Sequence, residues 1–169
     1  VGTTALESNT TGGSNTALGQ SALRCNTTAS DNTSVGRESL YNNTTGASNT
    51  AVGHDALYAN TTADNNTAVG YQSLVSNTTG TGRNSALGTC ALNTLTTGHS
   101  NVAAGYDVAT SLTTGTSNTI LGSNSTNQLT TGTNNHTLGD NADYTKIFNL
   151  TTESNRVIIG NNTTSNAYV

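Results

Sequence analysis

The sequence predicts an all-β fold: an elongated β-solenoid (a β-helix or β-roll) with 17-residue coils and two short strands per coil. Three observations predict it. A phrase recurs in tandem, as NTALGQSALRCNTTA from Asn15 to Ala29, NTSVGRESLYNNTTG from Asn32 to Gly46, NTAVGHDALYANTTA from Asn49 to Ala63 and NTAVGYQSLVSNTTG from Asn66 to Gly80. A glycine follows the apolar pair of each copy, at Gly2, Gly19, Gly36, Gly53, Gly70, Gly88, Gly105, Gly122 and Gly139, and every step is 17 residues except the 18 from Gly70 to Gly88. The composition is poor for helix and good for short strands and turns: Asn, Thr, Ser and Gly dominate, with no apolar 3.6-residue period.

Within the phrase, Thr67-Ala68-Val69 reads as the first strand, with β-branched residues at both ends. Gly70 ends it, at a place where every copy needs a turn with positive φ or a close backbone approach. Gln72-Ser73-Leu74-Val75 reads as the second strand, and Asn77-Thr78-Thr79-Gly80 as the closing turn. The irregular step fits this map. Its extra residue falls in Thr81-Gly82-Arg83, inside the turn, where loops accept insertions and stacked strands do not.

The apolar pairs set the faces. Ala17-Leu18, Ala51-Val52, Ala68-Val69, Ala86-Leu87 and Ile120-Leu121 are adjacent residues, and adjacent strand residues point to opposite sides. Small Ala suits the inside of a thin solenoid. Leu18, Val35, Val52, Val69, Leu87 and Leu121 then form an outward column, with an exchange of roles with their Ala neighbours as the alternative. The second strand is expected to repeat the pattern with Ala22-Leu23, Ala56-Leu57 and Ala91-Leu92. A continuous exposed apolar strip is unusual on a soluble monomer, so self-association along it is the expected solution. The competing possibility is a twisted coil that buries both residues itself.

Stacking also aligns identical polar residues. Asn15, Asn32, Asn49, Asn66 and their successors share one phase, and Thr10, Thr27, Thr44, Thr61 and theirs another. Such rows can bond to the copy above and below and hold register. After Gly139 the phrase stops. The chain therefore divides into repeats over 1–139 and a cap or short β segment over 140–169, which holds Tyr144 to Leu150, with the only Phe, and Arg156-Val157-Ile158-Ile159-Gly160. Val1 falls inside a repeat, so a fragment or processed product is expected.

Composition narrows the function. Charged residues are 8% of 169, with a net charge of −4 and five Lys and Arg in all, too few for a phosphate track, so nucleic acid is not an expected partner. No apolar stretch approaches a membrane span. His54, His99 and His136 fall in three different phases, and the acidic residues, from Glu7 and Asp31 to Glu153, recur at no useful spacing. Gly36 and Ser39 belong to no nucleophile motif, and the glycines are structural, not a phosphate loop. No catalytic, cofactor-binding or metal-binding residue is therefore expected, and no cofactor or enzymatic activity. Cys25 and Cys90 lie in different phases and roughly four coils apart, at about 4.8 Å per coil, too far for a bridge within the chain. Asn9, Asn26, Asn43, Asn60 and Asn77 head Asn-x-Thr sequons, expected in exposed turns and open to glycan on a glycosylating route.

The phrase NTAVGYQSL…NTTG in tandem resembles the shaft repeats of phage tail fibres and related surface fibre proteins. The tail SNRVIIGNNTTSNAYV resembles the stretch ahead of the intramolecular chaperone domain of endosialidase-type tail spikes and fibres, and the repeat is more loosely similar to those of trimeric autotransporter adhesin heads. In that family the chaperone drives trimerisation and is then released. The resemblance implies a homotrimeric extracellular virion fibre that reaches a host-surface receptor or glycan. The alternative is a cellular surface adhesin or extracellular filament, with glycan on its sequons. A lesser one is an ice-binding solenoid, weakened because the row Thr16, Thr33, Thr50, Thr67 is broken by Ser85, Val102 and His136.

Overall fold

The computed structural model describes residues 2–142 and 151–160. It is all-β and solenoidal. Nine three-residue strands lie in chain order in one parallel sheet: β1 Thr16–Leu18, β2 Thr33–Val35, β3 Thr50–Val52, β4 Thr67–Val69, β5 Ser85–Leu87, β6 Val102–Ala104, β7 Thr119–Leu121, β8 His136–Leu138 and β9 Val157–Ile159. Each pairs with the next at the repeat register, as in Thr33↔Thr50, Ser34↔Ala51, Val35↔Val52. The inserted residue leaves this register intact, since β4 still pairs Thr67↔Ser85 and Val69↔Leu87. A coil is numbered here by its strand.

The register glycines stack. Gly53 has φ 141°, and a Cβ on it would lie 2.3 Å from the carbonyl oxygen of Gly70. The whole column, from Gly19 to Gly139, meets the next glycine in the same way, so the backbone closes to a distance that no side chain permits.

The expected second strand is absent. Over that leg φ turns positive at every second residue, as at Gly36 (133°), Glu38 (56°) and Leu40 (49°), and Leu23, Leu57, Leu74 and Leu92 share the conformation. Hydrogen bonding between coils survives: Glu38 N–H donates to the Gln20 carbonyl at 2.9 Å and Leu40 N–H to the Ala56 carbonyl at 2.9 Å. Leucine pays about 1–2 kcal/mol for a left-handed backbone. Burial offsets it, because these leucines are fully enclosed and are the largest core side chains. The Ala22-Leu23 type of pair is accordingly buried on both members, which corrects the expectation that this leg repeats the in-and-out pattern of the strand.

The core therefore lies between the inward strand residues, such as Ala51, Ala68 and Ala86, and the leucine leg. Two asparagine columns complete it. Asn49 Oδ1 accepts the backbone N–H of Asn66 at 2.9 Å, while Asn49 Nδ2 donates to the Ala63 carbonyl at 2.9 Å and closes its own coil. In the other column Asn43 Nδ2 donates to Asn26 Oδ1 at 3.1 Å and to the Gly46 carbonyl at 2.9 Å. Leu95, Leu112 and Leu129 replace asparagine there after the 18-residue coil. The threonine rows do not bond side chain to side chain. Thr44 Oγ1 donates instead to the Thr61 carbonyl at 3.1 Å.

Beyond Gly139, residues 151–160 continue the sheet: β9 pairs with β8, and the Gly139 column runs on to the Gly160 carbonyl. The Tyr144 to Leu150 run and the tail from Asn161 lie outside the described residues, apart from Asp140 to Ala142 before the run.

Candidate functional site

The first and third residues of each strand face outward and the middle one inward, because a strand alternates its side chains. Burial follows this in β1 to β8, with Ala17, Ser34, Ala51, Ala68, Ala86, Ala103, Ile120 and Thr137 inside. The outer face is thus two columns. The first holds Thr16, Thr33, Thr50, Thr67, Ser85, Val102, Thr119, His136 and Val157. The third holds Leu18, Val35, Val52, Val69, Leu87, Ala104, Leu121, Leu138 and Ile159. Leu18, Val35, Val52, Val69, Leu87 and Leu121 all stand on the side the sequence reading gave them.

Nine large hydrophobic side chains are exposed among the described residues, and seven lie on this face; the other two are Tyr71 and Tyr106. Leu18 is 50% exposed, Leu87 58% and Leu138 55%; Val35, Val52 and Val69 are half-buried, and every coil from 5 to 9 carries at least one exposed Val, Leu or Ile on this face. No Asp, Glu, Lys or Arg occurs on any of the nine strands. Eight strand spacings of about 4.8 Å make the strip about 38 Å long. It is apolar and free of Asp, Glu, Lys and Arg, with threonine hydroxyls along much of one side.

The charged groups stand elsewhere. On the leucine leg Arg24 Nε meets Glu7 Oε2 at 2.5 Å, its Nη1 donates to the Tyr41 hydroxyl at 2.9 Å, and Tyr41 stacks on Tyr58 at 5.2 Å between ring centres. The hydrogen bonds to Glu7 and Tyr41 raise the Arg24 guanidinium above its ordinary value. Beside the glycine column His54 stacks on Tyr71 at 5.6 Å and its Nδ1 lies 3.2 Å from Asp55 Oδ2. Burial, and then Asp107, raises the Cys90 thiol, which moves it away from the thiolate a nucleophile requires. A hydrogen bond to Asp107 raises the Tyr106 phenol.

His54, His99 and His136 sit in three separate columns, and no group of three or more His, Cys, Asp or Glu converges among the described residues. Cys25 and Cys90 are both free and half-buried. No helix in the described residues is long and apolar enough to cross a membrane. The sequon expectation is corrected: Asn26, Asn43, Asn60 and Asn77 are fully buried, and Asn9 is half-buried at the end of their ladder. Their carboxamides hold the core together where an exposed turn was expected. Among the described residues, Asn65, which heads Asn65-Asn66-Thr67, is an exposed sequon residue that the sequence reading did not name.

Comparison with known proteins finds no matching family model, no similar curated protein and no similar solved structure.

Proposed function

We propose that this chain is a structural and adhesive rod, the shaft or distal part of a phage host-attachment tail fibre, in which three copies bury their outer sheet faces along a common axis. The observation that carries the reading is the concentration of exposed apolar side chains on one uncharged face about 38 Å long. Polar turns, with Thr, Ser and Asn outward, would then form the surface of the assembly. Such a rod would stand on a virion surface and hold a binding tip away from the particle, where a host receptor or glycan is met. The tandem phrase and its resemblance to fibre shafts support the same reading.

Light scattering on the wild-type chain tests it, with a trimer expected. Val52→Asp with Val69→Asp places charges on adjacent coils of the face and should give monomer or aggregate. A folded wild-type monomer removes the reading. If that monomer also shows thermal hysteresis, the uncharged Thr-bearing face serves ice instead.

A further inference from the structure

A solenoid of near-identical coils has a register problem when it associates with itself. Sliding one copy by a coil, about 4.8 Å, returns an almost identical surface, so nothing in the common pattern selects one alignment. Coils 5, 6, 8 and 9 break the pattern. In coils 1 to 4 and 7 the first outward residue is Thr and the third is Val or Leu. Coil 5 carries Ser85 with Leu87, and coil 6 reverses the order of sizes, with Val102 first and Ala104 third.

These departures compensate within each coil. The smallest first-column residue sits beside Leu87, and the smallest third-column residue sits beside Val102, the only apolar first-column residue in coils 1 to 7. Ala104 is the smallest residue of the third column, placed between Leu87 and Leu121, and with Val69, Leu87 and Val102 it lines a surface trough over coils 4 to 6. On a face open to solvent such compensation has no consequence. It matters when something packs against the face layer by layer, and only another copy of this chain brings the matching coil to the same height.

We infer that the copies pack parallel and in axial register, the third column of one against the first column of the next, with coils 5 and 6 as the register mark. The inference rests on the fibre reading above. In register, Leu87 meets Ser85 and Ala104 meets Val102, so each layer of coils 1 to 7 pairs one large side chain with one smaller one. A slip of one coil sets Val102 against Leu87 or Leu121, large on large, and leaves Ala104 against Thr119 or Ser85, small on small. An overfilled layer beside a void is penalised in both directions. A contact of one column with the other is heterologous, and closes as a ring of parallel copies. In coils 8 and 9 both positions are large, His136 with Leu138 and Val157 with Ile159, so the copies stand further apart at that end.

Disulfide trapping tests this in a chain whose Cys25 and Cys90 are replaced by serine. Thr50→Cys with Val52→Cys reports the aligned register, because each thiol meets the other on the neighbouring copy. Val52→Cys with Thr67→Cys reports a slip of one coil. Covalent multimers are expected from the first pair and not from the second. Restoring the common pattern, Val102→Thr with Ala104→Val, should keep the oligomer in light scattering and let the second pair cross-link as well. Equal cross-linking of both pairs by an oligomer with native coils 5 and 6 overturns the register mark and leaves the fibre reading standing. A folded monomer overturns both.

Discussion

Asn60 donates from Nδ2 to Asn43 Oδ1 at 2.8 Å, yet its own Oδ1, fully buried, accepts nothing. The next asparagine of the column, Asn77, turns its Nδ2 to the Thr96 carbonyl at 3.3 Å instead. The interruption coincides with the residue added between Gly70 and Gly88, in a turn where Gly80 takes φ 106° and Gly82 φ 64°, unlike Gly46 of an ordinary coil.

Deleting Thr81 should mend it. The segment would then read Gly80-Gly82-Arg83-Asn84, matching Ala63-Asp64-Asn65-Asn66 in length. An unmade buried hydrogen bond costs about 1–3 kcal/mol, so recovery of about 1 kcal/mol, or a melting point about 2–4 °C higher, is expected. A lower melting point after the deletion would show that the added residue is favourable where it stands.

The glycine column offers a sharper contrast. Gly53→Ala places a Cβ 2.3 Å from the Gly70 carbonyl oxygen at φ 141°, so coils 3 and 4 cannot close and the chain should lose its cooperative melt. Gly13→Ala, with nothing within 4 Å of the added carbon, should leave the melt within about 0.5 kcal/mol of wild type. Equal tolerance of both substitutions would contradict the stacking geometry.

The coil length, the strand at Thr67-Ala68-Val69, its outward column and the turn that takes the insertion were all legible in the sequence. Each follows from a period or an alternation that survives translation into backbone. The second leg was not legible, for a definite reason. Leu23, Leu40 and Leu57 adopt positive φ, which propensity assigns to Gly, Asn or Asp, and only their enclosure by the neighbouring coils offsets the cost. The buried asparagines misled in the same way. Asn-Thr-Thr is turn chemistry locally, and only the stacking of one coil on the next shows that Asn43 points inward. The candidate face was visible as a column of residues, but its first column, with the reversal at Val102 and Ala104, takes on meaning only once both columns share one surface.

Cys90 supplies a pH-dependent prediction. Burial, and then the charge and hydrogen bond of Asp107, hold its thiol above the ordinary value. The folded chain thus binds this proton more tightly than the unfolded chain. The associated stability is complete below the unfolded thiol value and is lost as pH rises through the folded one. Asp107→Asn removes the lesser causes and leaves burial in place. Alkylation of Cys90 near pH 8 should quicken while that of Cys25 stays constant. An unchanged Cys90 rate would mean that burial alone governs it.

The last prediction concerns glycan. Oligosaccharide transfer acts on the nitrogen of an asparagine carboxamide, and in Asn26, Asn43 and Asn60 that nitrogen is buried and donates to the asparagine one coil before and to a carbonyl three residues on. A sugar on Asn43 would replace one of the two Nδ2 hydrogens and so break at least one of these bonds; the Gly46 carbonyl keeps its bond from Asn32 Nδ2 at 3.0 Å, but Asn26 Oδ1 has no second donor, and leaving it unpaired costs about 1–3 kcal/mol before the sugar itself is accommodated in the core. Because transfer precedes folding, a chain routed through a glycosylating secretory pathway should separate into two fractions. The folded, β-rich fraction should be unmodified at Asn26, Asn43, Asn60 and Asn77 and can carry glycan at exposed Asn65. The modified chains should be unfolded and retained. Thr28→Ala, Thr45→Ala, Thr62→Ala and Thr79→Ala together remove these four sequons at exposed positions without touching the ladder, and should increase the folded yield. Glycopeptide mapping of the folded fraction decides it, since glycan found at Asn43 or Asn60 there would mean that the asparagine ladder does not form as described.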